Sequence, residues 1–132
     1  MAPDIHPASV SKSALWAGRI LSALIVLALV MSGSGKLAGG PDVVKGFQDL
    51  GWDPSYALGL GILEIACAVI YAIPRTAVLG AILVTGYFGG AIATHVRLGQ
   101  PLFIAALTLG VIAWLGLYLR DNRLRALVPL RS

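Results

Sequence analysis

Four long apolar runs dominate the chain, separated by short polar breaks. The first is apolar from Ile20 to Met31 apart from Ser22, and reaches back through Leu15 and Trp16 with Arg19 as its one charge. The second, Tyr56 to Ile73, holds a single charge, Glu64. The third, Ala77 to Val96, has one histidine, His95, and no formal charge; the fourth, Leu102 to Leu119, has neither. A helix that spans lipid needs about 20 mainly apolar residues, within roughly 17–25. The pattern therefore predicts an all-α fold, a four-helix transmembrane up-down bundle. Its spans fall at about 15–35, 55–73, 76–96 and 101–119. The runs are continuous, whereas a transmembrane β-barrel needs alternating segments of about 10 residues. Lys12 and Arg19 ahead of the first run also fit a secretory signal. That run is long enough to span and no clear A-x-A site follows it, so it reads as a retained first helix.

The breaks set the connectivity. Ile73-Pro74-Arg75-Thr76 and Leu98-Gly99-Gln100-Pro101 are tight turns, and short links make neighbouring helices antiparallel. Pro74 cannot continue the helix before it but suits the first turn of the next. The longer link, Gly33 to Pro54, places Val43, Phe47 and Leu50 at helical spacing behind Pro41. It reads as a short amphipathic interfacial helix between helices 1 and 2, with Trp52 at the membrane boundary.

Composition narrows the class. The 132 residues are 58% hydrophobic and 12% charged, with a mean hydropathy of +0.85. A soluble domain carries about 25% charge, and a disordered chain has low hydrophobicity. The chain thus reads as a single membrane domain, 1–132, with a polar tail over 1–13 and a basic tail over 120–132. The single cysteine excludes an internal disulfide or a CxxC pair. His6 lies in the polar tail, leaving His95 alone in the bundle, so no metal site and no haem ligation are expected.

Charge gives an orientation. Lys12, Arg19, Arg75, Arg120, Arg123, Arg125 and Arg131 fall on one side. Lys36, Lys45 and Arg97 fall on the other. The positive-inside rule puts both termini in the cytoplasm of a multi-pass protein of the plasma (inner) membrane. Arg75 reads as a headgroup anchor, and a basic tail beside a span reads as another. No nucleic-acid motif is present, so membrane lipids rather than nucleic acid are the expected partners.

The candidate chemistry centres on Glu64, about 12 Å from either end of its span. A carboxylate there costs several kcal/mol unless paired, neutral or hydrated, so it should face inward, with Cys67 and Tyr71 on its face. An up-down path brings Lys36, at the end of helix 1, and His95, at the end of helix 3, to the leaflet above Glu64. Direct contact is expected more of Lys36 than of His95, with water spanning the remainder. Glu64 and His95 are the candidate catalytic residues; Lys36, Tyr87, Thr94 and Arg97 are the candidate ligand-binding ones. Tyr87, Thr94 and Thr85 offer hydroxyls to an interior network, Thr85 with cross-helix bonding as its competing role. Gly86-x3-Gly90 is a small-x3-small pattern that lets helix backbones approach. Pro74, Arg75, Gly86 and Gly90 are therefore assigned structural roles.

The run from Pro74 through Thr85-Gly86-Tyr87-Phe88-Gly89-Gly90 to Thr94-His95-Val96-Arg97 resembles the DoxX-like family of membrane proteins. Ser32-Gly33-Ser34-Gly35-Lys36-Leu37, Gly61-Ile62-Leu63-Glu64 and Leu117-Tyr118-Leu119-Arg120-Asp121 carry the same resemblance. It implies a four-helix integral membrane protein, of a mostly bacterial group whose namesake accompanies a terminal quinol oxidase. Relatives are linked with thiosulfate:quinone oxidoreduction, thiol-stress complexes and membrane assembly. The matched positions are Lys36, Glu64, Arg75, Tyr87, His95 and Arg97. A thiol-disulfide role does not suit a chain with one cysteine.

Three functions are compatible with this reading. The first is a small redox-linked subunit with a pocket for a quinone or other lipophilic molecule, partnered by membrane oxidoreductase subunits. The second is a membrane assembly factor or scaffold, and the third a proton-coupled carrier that would self-associate. A quinone or bound lipid is the expected cofactor class, and no self-sufficient catalytic motif makes the chain an enzyme by itself.

Overall fold

The structure, a computed structural model, describes residues 11–127. His6 and most of the N-terminal tail, and Arg131 of the basic tail, lie outside the described residues. The described residues form helices and no strand: α1 (Lys12–Ala38), α2 (Pro41–Asp49), α3 (Tyr56–Ala72), a 3-10 turn (Pro74–Thr76), α4 (Ala77–Arg97), α5 (Phe103–Arg120) and α6 (Asn122–Leu127).

The helix ends follow from local chemistry. Ser11 caps α1, its hydroxyl accepting from the Ala14 N–H at 3.2 Å. At the other end α1 runs to Ala38, past the expected limit near residue 35, and stops at Gly39, whose φ of 70° few other residues tolerate. Asp53 closes the loop before α3. The backbone N–H of Ser55, helped by its hydroxyl, holds that carboxyl below the usual carboxylate range. Ile73 is extended (φ −78°, ψ 122°), as a residue before proline must be, so α3 ends at Ala72. Pro74 has no N–H to offer the Ile70 carbonyl; the Thr76 hydroxyl donates to it instead, at 2.8 Å.

Three helical stretches are long and apolar enough to cross a membrane: Lys12–Ala38, Pro74–Arg97 and Phe103–Arg120. The second expected span is shorter, because the extended Ile73 removes a residue from it. α3 has 17 residues and rises about 25 Å, at the lower limit for a span.

α1 packs against α3 and α5, and α4 packs against the same two, so the four longer helices close a ring. The core is made of small and medium side chains: Ile25, Leu29, Ala68, Tyr71, Ala81, Val84, Ala113 and Leu117 are almost completely buried. Large apolar residues point outward instead. Ile20, Leu24, Leu27, Met31, Leu58, Ile62, Ile82, Ile104 and Val111 are each more than half exposed. In water such a surface would drive aggregation; against acyl chains it costs nothing.

Glycines bring the backbones together, though not the ones expected. A Cβ on Gly33 would lie 2.9 Å from the Gly61 carbonyl, one on Gly18 2.7 Å from that of Gly116, and one on Gly80 would fall on the Tyr71 backbone. Gly86 and Gly90 have nothing within 4 Å of where a Cβ would sit, so their small-x3-small pattern is not a helix contact. Both are exposed and border open space, because the helix crossing lies lower on α4, at Gly80. Polar groups knit the core beside these contacts. The Tyr71 hydroxyl donates to the Ala113 carbonyl at 2.7 Å, which makes Ser22 the donor in its 3.1 Å bond to Tyr71.

Gly80→Val should therefore lower stability by about 3 kcal/mol through overpacking, whereas Gly86→Ala should stay within about 0.5 kcal/mol of the parent. Thermal unfolding in a mild detergent measures both.

Candidate functional site

Glu64 is the ninth of the residues in α3 and is 3% exposed, on the face that also buries Gly61, Cys67 and Tyr71. Its carboxylate is met from α1. Lys36 Nζ donates to Glu64 Oε2 at 2.7 Å, an ion pair made directly and without an intervening water. The Ser32 hydroxyl, one turn earlier on α1, donates to the same Oε2 at 3.2 Å and accepts from Lys36 at 2.7 Å. These three groups form a closed triangle. Ser32 was not assigned a role from sequence, although the i, i+4 spacing to Lys36 was a usable signal. The triangle needs α1 to continue as a helix through Ser32-Gly33-Ser34-Gly35. It also needs the Gly33–Gly61 approach, which brings the two helices close enough for Lys36 to reach down.

Above the pair opens a cavity of about 490 Å³. Of the sequence-predicted site residues, Lys36, Glu64, Tyr87, Thr94 and His95 all line it, with Gly86 and Gly90 forming part of its wall. Leu60, Leu63, Phe88, Ala105 and Leu109 make the remainder largely apolar. The cavity does not continue toward the opposite end of the bundle. Below Glu64 the space between helices is filled by Leu29, Ile25, Cys67 and Ala68, each at most 2% exposed.

His95 does not bond to Glu64. Its Nδ1 pairs with Gln100 Oε1 at 2.8 Å across the α4–α5 turn, while the Gln100 N–H donates to the His95 carbonyl at 2.9 Å. Thr94 spends its hydroxyl proton on the Gly90 carbonyl at 2.8 Å. Thr85 is separate from the cavity group. It donates to the Ala81 carbonyl and accepts from the Trp114 indole, so it bonds α4 to α5 and joins no interior network with Tyr87 and Thr94. A helix turns about 200° in two residues, so Thr85 and Tyr87 face different neighbours. Arg75 is exposed in the Pro74–Thr76 turn, far from this group.

Arg97 is set beside the cavity rather than in its wall. Its Nη2 donates to the Leu50 carbonyl at 3.1 Å, at the C-terminal end of α2. α2 touches the bundle lightly: Phe47 is its one buried residue. Phe47, Leu50 and Trp52 nevertheless close the top of the cavity. The segment hangs between backbone positions that favour glycine, Gly39 and Gly40 before it (φ 70° and 113°) and Gly51 after it (φ 76°). A side chain at Gly51 would also press on the Arg97 guanidinium, 3.2 Å from the Cβ position. Arg97 thus fastens the cover of the site.

The family model described as the DoxX-like family matches residues 20–116. The chain belongs to the DoxX-like family. No curated protein and no solved structure matches it. The matched stretch of this DoxX-like protein contains every residue of the Ser32–Lys36–Glu64 triangle and the whole cavity wall. Among the described residues no three His, Cys, Asp or Glu side chains converge as metal ligands would.

Removing one partner of the pair isolates a buried charge. With Lys36 20% exposed, Lys36→Met should cost about 3 kcal/mol, the lower end for such a break. Lys36→Met combined with Glu64→Met should recover most of that loss, as a double-mutant cycle of thermal unfolding will show. Arg97→Ala should speed amide hydrogen exchange in residues 41–50 by about tenfold, the worth of one charged hydrogen bond, with exchange in α3 unchanged.

Proposed function

We propose that this DoxX-like protein is a four-span up-down bundle that holds one lipophilic molecule, with its polar head over the Lys36–Glu64 pair. In this reading α3 crosses with the other three long helices, tilted little because it is short, and α2 lies along the interface. Lys12, Arg19, Arg75, Arg120, Arg123 and Arg125 are on the cytoplasmic side, with both termini.

The observation that carries the reading is the composition of the cavity. A space of about 490 Å³ falls in the range of small-molecule sites, which are mostly apolar with a few convergent polar groups. Here the apolar walls come from Leu60, Leu63, Phe88 and Leu109, and the polar groups are Ser32, Lys36, Glu64, Tyr87, Thr94 and His95. Lys36 spends two of its three N–H donors on Ser32 and Glu64, leaving a third for a ligand oxygen. A ring-and-chain molecule such as a quinone has this shape: an oxygen-bearing head and an apolar tail. Glu64 and His95 would then supply or accept protons at the head. As the subunit of a membrane oxidoreductase, the chain would hold and position the ligand, and the electrons would be carried by the ligand itself. The packed layer of Ile25, Leu29 and Ala68 beneath Glu64 favours this over a proton-coupled carrier, whose acid needs access to both ends.

The chain extracted from its native membrane should carry a lipophilic molecule that native mass spectrometry resolves. Gly90→Leu, which fills open cavity space, should abolish its retention without lowering the unfolding temperature. Glu64→Gln should weaken retention by about tenfold, as loss of one charged hydrogen bond would. Wild-type protein free of any small molecule, and unaffected in stability by added quinone, would remove the proposal.

A further inference from the structure

At the end of the bundle away from the cavity, about 25 Å along α1 from Lys36, lies a second and smaller space of about 160 Å³. Two arginines from different helices line it, Arg19 of α1 and Arg120 of α5. Their convergence is fixed by packing. Gly18 lets α5 approach until a Cβ there would lie 2.9 Å from the Arg120 backbone nitrogen.

Among the described residues neither arginine has a carboxylate partner. Arg19 lies over the Trp16 ring, its Cζ 5.3 Å from the centroid, and has no hydrogen-bond acceptor among the described residues. Arg120 lies over the Tyr71 ring at 5.3 Å and gives one N–H to the Tyr71 carbonyl at 3.2 Å. Its Nε is buried without an acceptor. Asp121 lines the same space, but its Oδ1 caps α6, accepting from the Arg123 and Leu124 N–H groups at 2.8 and 3.3 Å. Among the described residues the one ion pair is Lys36–Glu64, so the Asp121 carboxylate makes none with either arginine. Two arginines with spare donors, one exposed (Arg19) and one half-buried (Arg120), fit a tetrahedral oxyanion, which guanidinium binds through paired N–H bonds. The rest of the wall, Leu15, Pro74 and Leu117, is apolar and continuous with the lipid-facing exterior.

We propose that this space binds the phosphate of an anionic membrane phospholipid between Arg19 and Arg120, with the acyl chains leaving along the outer faces of α1 and α5. The site is independent of the ligand cavity. Both arginines also lie outside residues 20–116, so the site does not come with family membership as such. It explains why an arginine is placed over Tyr71 in the core instead of extending to water.

The test uses the full chain in detergent, delipidated and then offered equal phosphatidylglycerol and phosphatidylcholine, with bound lipid read by native mass spectrometry. The wild type should retain phosphatidylglycerol in preference. Arg19→Gln alters an exposed residue without disturbing the core, and should lower that retention by about fivefold, the worth of one cation at an anionic surface. Arg123→Gln, outside the space, should leave it unchanged. Equal retention by Arg19→Gln and the wild type would overturn the proposal. So would an equal loss from Arg123→Gln, which would mean diffuse attraction. Uptake of inorganic phosphate in place of the lipid would overturn the lipid assignment.

Discussion

Taking a carboxylate out of water costs several kcal/mol, and in a bundle whose interior is largely apolar the main compensation is a cation brought in from a neighbouring helix, helped by nearby hydroxyls. Glu64 sits halfway along α3, and Lys36 reaches it from α1 at 2.7 Å with Ser32 bridging the two. Much else follows from that demand. α1 must stay helical through a Ser-Gly-Ser-Gly run that would ordinarily end a helix. Gly33 and Gly61 must lack side chains for α1 and α3 to close up. The space above the pair must stay partly open, and α2 must cover it, because a polar group at that depth needs shelter from lipid and contact with something polar.

The two ends of the molecule solve opposite problems. At the cavity end, opposite charges neutralise one another and leave room for a guest with little net charge. At the other end, Arg19 and Arg120 line one space in which the only carboxylate among the described residues, Asp121, caps α6 and pairs with neither, and in the proposed reading a lipid phosphate supplies the neutralising charge. Between the two ends runs a dry layer of Ile25, Leu29 and Ala68. In the proposed reading, this separation would let one short bundle present a polar pocket to one leaflet and an anion site to the other.

Much of this was legible in the sequence, for reasons specific to lipid as a solvent. Continuous apolar runs announce helices, and a lone acid within one has to turn inward, which leads to the expectation of Lys36 and His95 in the leaflet above Glu64, with hydroxyls from Tyr87, Thr94 and Thr85 nearby. What the sequence did not disclose depends on helix rotation and crossing. Gly86 and Gly90 have the spacing of a packing motif, yet they line the cavity, since only the crossing point decides which of several glycines meets a neighbour. Thr85 turns to Trp114 because two residues carry a helix half-way round. Ser32 and Arg97 form bonds whose partners, Glu64 and the Leu50 carbonyl, are remote in sequence or belong to the backbone. The short α3 followed from the residue before Pro74 being forced out of helix, which trims a run that composition alone reads as full length.

The most direct measurement is the separation of the Lys36 amine and the Glu64 carboxylate in a lipid bilayer. Rotational-echo double resonance between a nitrogen label on lysine and a carbon label on glutamate reports it, with Lys36→Met and Glu64→Gln identifying the signal. The account predicts strong dephasing that corresponds to the 2.7 Å nitrogen–oxygen contact and disappears in either variant. Absence of that dephasing in folded wild-type protein would contradict it, leaving an all-helical membrane protein whose buried acid is held in some other way.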